Sequence, residues 1–439
     1  MTSMPEALVL GHICSKIGSG ATPKGGKEVY LASGPYALIR SQNVLNDGFS
    51  NNGLAYISER QAKALDGVTV EPGDVLLNIT GDSVARVCQA PKSALPARVN
   101  QHVAIIRPRP DVLDPSFLRY FLVSPEQQTL LLTLASSGAT RNALTKGMIK
   151  QIEVPAVLIE EQKQIARILG SLDDHIDHNQ ALAANLEAIA RRLFKSWFVD
   201  FDPVRAKAAG EKPSGLADDI ALLFPDRFVE SELGEIPEGW RLETLASVAR
   251  LNPETWTTRK HPDEIRYLDL SNVKDGLVDS PTKYSWEEAP SRARRLLQQG
   301  DTIIGTVRPG NRSFALIDQA GLTGSTGFSV LRPASDSKRE YLYLASTSDD
   351  AIERLAHLAD GAAYPAVRPE VVLDTGTIIP SNEVMMAFSA VTKGMIDRAS
   401  VCKQEANALA EIRDLLLPRL ISGKLRVEDA ESVIEEAIA

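Results

Sequence analysis

The sequence predicts an α+β protein made of two similar halves, each a mixed domain of strands and helices followed by one long helix. The two helices are expected to form an antiparallel coiled coil about a pseudo-two-fold axis. Three features of the sequence predict this: an internal tandem repeat, a strand-and-turn region that opens each copy, and a heptad pattern that closes each copy.

The repeat recurs at a spacing of about half the chain, which points to a duplicated unit. Gly73-Asp74-Val75-Leu76-Leu77 returns as Gly300-Asp301-Thr302-Ile303-Ile304. Val103-Ala104-Ile105-Ile106-Arg107-Pro108 returns as Phe328-Ser329-Val330-Leu331-Arg332-Pro333. Ser137-Gly138-Ala139 returns as Asp360-Gly361-Ala362. The spacing shortens slightly from each match to the next. Such a drift is what small loop deletions leave behind, and chance matches would not stay in order. Lys146-Gly147-Met148-Ile149 and Lys393-Gly394-Met395-Ile396 are identical but lie farther apart than the other pairs. They fall outside the pattern and are read as coincidence.

Each copy opens with short apolar runs broken by Gly, Pro, Asn and Asp, such as Tyr36–Ile39, Val75–Ile79 and Val103–Ile106. These read as strands and turns. Each copy closes with a helix. Between Glu161 and Phe198 there is no proline and a single glycine, Gly170. Residues recur there in steps of four and three, at Ile165, Leu169, Leu172, Ile176, Asn179, Ala183, Leu186, Ala190, Leu193 and Trp197, all apolar but Asn179. That is a heptad seam. The second copy keeps a rougher seam at Met395, Leu409, Leu416 and Leu420. Each helix would run about 50 Å, longer than a small domain needs for its own packing. A duplication pairs its halves much as a dimer does. The segment between the halves carries Pro203, Pro213, Pro225 and Pro237. It reads as a connector that returns the chain along the helices.

Composition bounds the function. The chain has 439 residues and a net charge of −9, which argues at first against nucleic acid. By region, residues 1–155 hold 15 Lys+Arg against 12 Asp+Glu, whereas residues 230–382 hold 17 against 23. No block is strongly basic, so either DNA is not the ligand or a partner supplies much of the phosphate contact. Cys14, Cys88 and Cys402 are far apart and offer no disulfide framework or zinc spacing, which suits a reducing cytoplasm. Residues 1–11 lack a basic start with an apolar run behind it, so no signal peptide is expected. No run of 18 apolar residues occurs, so no membrane span is expected either. A DNA methyltransferase needs a Pro-Pro-containing pocket motif to grip a flipped base, and the chain has no Pro-Pro pair. No carboxylate cluster of a nuclease appears in both copies. His175 and His178, one helical turn apart, read as a solvated helix face rather than a metal site. Gly18 and Gly20 lack the Gly-Lys-Ser/Thr of a phosphate loop. No catalytic residue, metal or cofactor is expected.

Longer stretches resemble a known family. Leu193-Phe194-Lys195-Ser196-Trp197-Phe198-Val199-Asp200-Phe201-Asp202-Pro203-Val204 resembles the central region of the specificity subunits of type I restriction–modification systems. Ser231-Glu232-Leu233-Gly234-Glu235-Ile236-Pro237-Glu238-Gly239-Trp240 is similar to the entry to their second target-recognition domain. Arg413-Asp414-Leu415-Leu416-Leu417-Pro418-Arg419-Leu420-Ile421-Ser422-Gly423-Lys424 resembles the end of their distal helix, and the stretch from Ser136 to Pro155 the close of their first recognition domain. The resemblance implies two target-recognition domains at 1–155 and 236–382. It also implies a central helix at 156–199, a connector at 200–235, a distal helix at 383–422 and an acidic tail at 423–439. Each domain would read one part of a split site in double-stranded DNA. The helices would bind two methyltransferase subunits, restriction subunits would join them, and those partners would do the chemistry. Residues 1–11 depart from the family's Pro-x-Gly-Trp-like entry, and Ala362-Ala363-Tyr364-Pro365 stands where the first copy has Thr140-Arg141-Asn142. The competing readings are a protein-binding scaffold with two interaction domains and a stand-alone DNA-modifying enzyme.

Arg and Lys read guanine, and Asn and Gln read adenine, by paired hydrogen bonds, while phosphates take Lys, Arg, Ser and Thr. In the first copy such groups gather at Lys16, Ser19, Thr22 and Lys24, at Arg40, Gln42 and Asn43, at Arg98, Asn100 and Gln101, and at Arg141. The second copy offers Asn272, Arg308, Asn311, Arg312, Ser325 and Thr326. Arg308 and Arg312 flank a glycine turn and rank first among them.

Overall fold

A computed structural model describes residues 7–137, 142–232, 234–361 and 364–438. Arg141 and the glycine repeat at Gly138, Ala139 and Ala362 therefore lie outside the described residues. The chain divides into two compact units, Met1–Ile176 with Ala408–Ala439 and Asp177–Asn407.

In the first unit the expected strands build two four-stranded sheets. One runs in the order Cys14–Ser19, Val103–Pro108, Val75–Asn78, Val87–Gln89, antiparallel throughout. The other runs Ala55–Ile57, Tyr36–Ile39, Ala97–Val99, Thr69–Val70, with its central pair parallel. Leu76, Cys88, Val103 and Ile105 of the first sheet share a core with Ala37, Ile39, Val70, Ala97 and Val99 of the second. Helices Pro115–Val123, Pro125–Ser136 and Lys146–Lys150 follow, and Glu153–Pro155 returns to pair with Ala7–Val9. Pro115 at the first helical position, behind the Asp114 cap whose side chain accepts from the Ser116 and Phe117 amides, sets the start of the first of these helices.

The second unit repeats this order strand for strand. Its sheets run Ala249–Leu251, Phe328–Pro333, Thr302–Gly305, Phe314–Leu316 and Thr282–Ser285, Glu264–Leu268, Leu322–Ser325, Ala293–Leu297, and the single parallel pair sits in the same place. Helices Arg339–Ser346, Asp349–Leu358 and Pro369–Leu373 and the strand Gly376–Ile379 follow in the same sequence. The two most legible repeat motifs meet each other in space. Fully buried Asp74 takes two hydrogen bonds from Arg107, at 2.7 and 2.9 Å, and fully buried Asp301 takes two from Arg332, at 2.8 and 3.0 Å. Two such bonds to one carboxylate satisfy a charge that burial alone would make costly. Lys146-Gly147-Met148-Ile149 and Lys393-Gly394-Met395-Ile396 lie in a short helix and a long one respectively, so they are not equivalent.

The long helices are Ile159–Phe198 and Asn382–Ile421, each of 40 residues. Ile165, Leu172, Ile176 and Trp197 are buried, while Leu186 and Leu193 are partly so. On the second helix Leu409, Leu416 and Leu420 are buried. Met395 is partly covered, like Leu186 and Leu193, and its neighbour Ile396 is 2 % exposed. Within the second unit Ala183 packs with Ala399 and Cys402, Glu187 pairs with Lys403, and the rings of Phe194 and Trp197 meet Phe388. Between the small-residue contact and the aromatic one, the first helix advances while its partner retreats. The two segments therefore run antiparallel there.

The connector also differs from expectation. Rather than running back along the helices, it folds where it leaves the first one, through helices Asp202–Ala208 and Asp218–Leu222 and the hairpin Phe228–Ser231/Gly234–Pro237. Phe201, Val204 and Phe224 join Trp197, Phe198, Trp240 and Tyr341 in one buried cluster. Aromatic burial there outweighs the prolines that mark the segment as a loop. Within 423–439, residues Val427–Ile438 form a helix. No helix among the described residues is long and apolar enough to cross a membrane.

Candidate nucleic-acid interface

In each unit a turn joins an inner strand of the all-antiparallel sheet to its edge neighbour, Val75–Asn78 to Val87–Gln89 and Thr302–Gly305 to Phe314–Leu316, and it is built on the same backbone hydrogen bonds in both. In the first unit Asn78 donates to Arg86, Ile79 to His102, Gly81 to Asn142 and Val84 to Gly81. In the second unit Gly305 donates to Ser313, Thr306 to Gly327, Arg308 to Pro365 and Asn311 to Arg308. Two positions of this turn require a left-handed backbone. The first copy fills them with Gly81 (φ +78°) and Ala85 (φ +73°), the second with Arg308 (φ +48°) and Arg312 (φ +61°). A side chain in that region costs about 1–2 kcal/mol that glycine avoids.

The two arginines are held differently. Arg312 ion-pairs with Asp275 and with Asp349 at 2.9 Å, and lies over the Phe314 ring at 5.3 Å. Burial opposes its charge, but these carboxylates hold its pKa above the usual arginine value. Arg308 is exposed, with its guanidinium 4.9 Å from the centre of the Tyr364 ring. Tyr364 is 72 % exposed, unusual for so large a ring. The pair borders an open cavity of about 530 Å³ lined by Leu270, Val273, Lys274 and Asn311 among others. Asn311 lends its carbonyl to Lys274 Nζ at 2.7 Å.

The other expected contacts divide by burial. Arg98 is 5 % exposed, and its guanidinium donates to the carbonyls of Ala62 and Ala97 and to Asp66. Asn43 is fully buried; its amide holds Ser50 and Asn52, and its oxygen accepts from Arg40 N. Asn100 accepts from the His102 amide, and Ser325, fully buried, from the Gly327 amide. These four side chains are buried and engaged in hydrogen bonds within the fold. Asn272 accepts from the Asp269 amide in a turn of the same kind as that of Asn43. Arg40 donates to Gly53 and lies 5.2 Å from the Tyr30 ring centre, and Gln42 donates to Asn52 and Gly53. Gln101 bonds the His102 ring at 2.8 Å. Lys16 is half-buried beside Arg107; burial first, and then that arginine, lower its pKa. Ser19, Thr22, Lys24 and Thr326 stand at least partly exposed. Tyr364 escaped the sequence reading, because an aromatic residue beside a proline gives no sign of being exposed. Cys14 and Cys88 are no candidate nucleophiles: burial pushes both thiols up to about 12.

The family model for the type I restriction modification DNA specificity domain matches residues 9–188. The HindI specificity subunit of Haemophilus influenzae, a type I restriction enzyme subunit, is 23% identical over 88% of this chain and 94% of its own length. The MjaIX specificity subunit of Methanocaldococcus jannaschii is 22% identical over 94% of this chain and 92% of its own. Over these stretches the chain is similar to the specificity subunits of type I restriction–modification systems. A solved type I S subunit from M. genitalium shares the fold of this chain, with a TM-score of 0.58, 15% identity and coverage of 94% of this chain and 95% of that one. In this chain one strand-to-strand turn recurs in both units, and its chemistry differs between them.

Proposed function

We propose that this chain is the specificity subunit of a type I restriction–modification system and reads a bipartite site in double-stranded DNA, one half through residues 1–155 and the other through residues 236–382. The two domains descend from a tandem duplication. The helices at 156–199 and 383–422 form an antiparallel coiled coil that docks methyltransferase subunits, two per chain, and restriction subunits join these. Catalysis belongs to those partners, and the assembly works in the cytoplasm. The recurrence of one turn, with the same hydrogen bonds but different side chains, carries this reading: a common frame with changed surface groups is what two readers of different half-sites need. Replacing residues 236–382 by the matching segment of a relative tests it, with the methylated sequence in cells as readout. We expect one half of the site to change and the other to persist. A swap that altered both halves together would overturn the division of labour.

A further inference from the structure

At the place equivalent to Arg308 the first copy has Gly81, and a Cβ built there meets nothing within 4 Å, so a side chain at this position stands in open space. Glycine satisfies the backbone at no cost, and the second copy nevertheless carries an arginine at φ +48°. Strain of this kind persists where the side chain is used. Further features point to a ligand rather than to folding. Arg308 is an exposed residue, its guanidinium lies 4.9 Å from the centre of the exposed Tyr364 ring, and its amide is tied to Pro365 at 2.7 Å. The neighbouring cavity offers Lys274 and Asn311 beside the apolar Leu270 and Val273. Arg312, four positions on, is paired with Asp275 and Asp349.

We infer that Arg308, steadied by Tyr364, is the guanine-reading residue of the second domain, and that Arg312 is a positioning residue that fixes the turn beneath it. The inference rests on the DNA-reading function proposed above. An arginine fork matches the two acceptors on the major-groove edge of guanine, and no other base offers that pair. The second half-site therefore contains a G·C pair whose identity depends on Arg308. The first half-site has no arginine contact from the matching position, where Asp82 and Ser83 follow Gly81.

The test uses the chain assembled with its methyltransferase subunits and a random-sequence duplex library, with the methylated sequences read out. For Arg308→Gly we expect one G·C position in one half-site to lose tenfold or more in preference, every other position to be kept, and the melting temperature to stay level or rise. Arg308→Lys keeps the charge without the fork, so it should lose the same preference. Arg312→Ala should lower the rate and the melting temperature without singling out one position. If Arg308→Gly keeps all preferences, or if Arg308→Lys restores them, the guanine assignment is wrong. If Arg308→Gly instead lowers stability and blurs both halves, the residue is structural. A wild-type assembly without sequence preference would instead overturn the DNA-reading function itself, and the inference with it.

Discussion

Asp173 is the carboxylate on which three side chains of the first unit converge. Arg119 reaches it at 2.6 Å, Tyr120 at 2.7 Å and Arg413 at 2.8 Å. Burial pushes its pKa up, but Arg119 and the hydrogen bonds from Arg413, Tyr120 and Arg119 outweigh burial and hold it below the usual carboxylate value. A carboxylate depressed in the folded state contributes stability above its unfolded pKa, about 3.9, and loses it as pH falls through the folded value. Asp173→Asn should therefore cost about 2 kcal/mol at pH 7, and the gap to wild type should close as pH falls from about 5 toward about 2. Thermal melts across that range measure it, and a gap independent of pH would contradict the account. At this scale the sequence is partly transparent. Asp74, Arg107, Asp301 and Arg332 stood out as repeats because each pair ties two strands together. Asn43 and Arg98 are hard to read in the sequence because a buried carbonyl and a base edge call for the same donors. The partners that decide between them, at Ser50, Asn52, Ala62 and Asp66, are not marked by any local pattern.

The two long helices were legible because a buried stripe imposes a period on the sequence wherever it lies, and their 40-residue lengths followed. The connector was illegible for the opposite reason. Phe201, Val204 and Phe224 bury themselves without any period, between prolines that look like loop markers. One packing contact between helix segments in the second unit uses small residues, Ala183 against Ala399 and Cys402, each at most 1 % exposed. Such a contact has no room for added methylenes. Ala399→Leu should destabilise this unit by about 1–3 kcal/mol, a drop of roughly 2–4 °C per kcal/mol for a unit of this size. Ala399→Ser, which adds little volume, should cost much less. Calorimetry of the full chain reads both, and an unchanged melting temperature for the leucine variant would show that the segments do not meet there.

Across the whole molecule, charge and function pull in different directions. A reader of DNA normally advertises itself by a basic surface, because binding strength tracks the number of phosphates neutralised. This chain carries −9 overall, and residues 230–382, which include Arg308, are acidic in sum. Several of its cations are already committed inside the protein, as Arg98, Arg107, Arg312 and Arg332 are. On the function proposed above, sequence discrimination and backbone affinity would be split, with the second supplied by partner subunits. The isolated chain should bind a duplex weakly at about 150 mM salt, with log K falling by fewer than about four units per decade of salt. Adding methyltransferase subunits should strengthen binding by orders of magnitude and steepen that slope, since each added phosphate contact contributes about 0.9. Fluorescence anisotropy of a labelled duplex, titrated with and without the partner at several salt concentrations, gives both quantities. Tight, sequence-selective binding by the chain alone, or a slope that the partner leaves unchanged, would place the phosphate contacts on this subunit and remove the reason its acidity is tolerated.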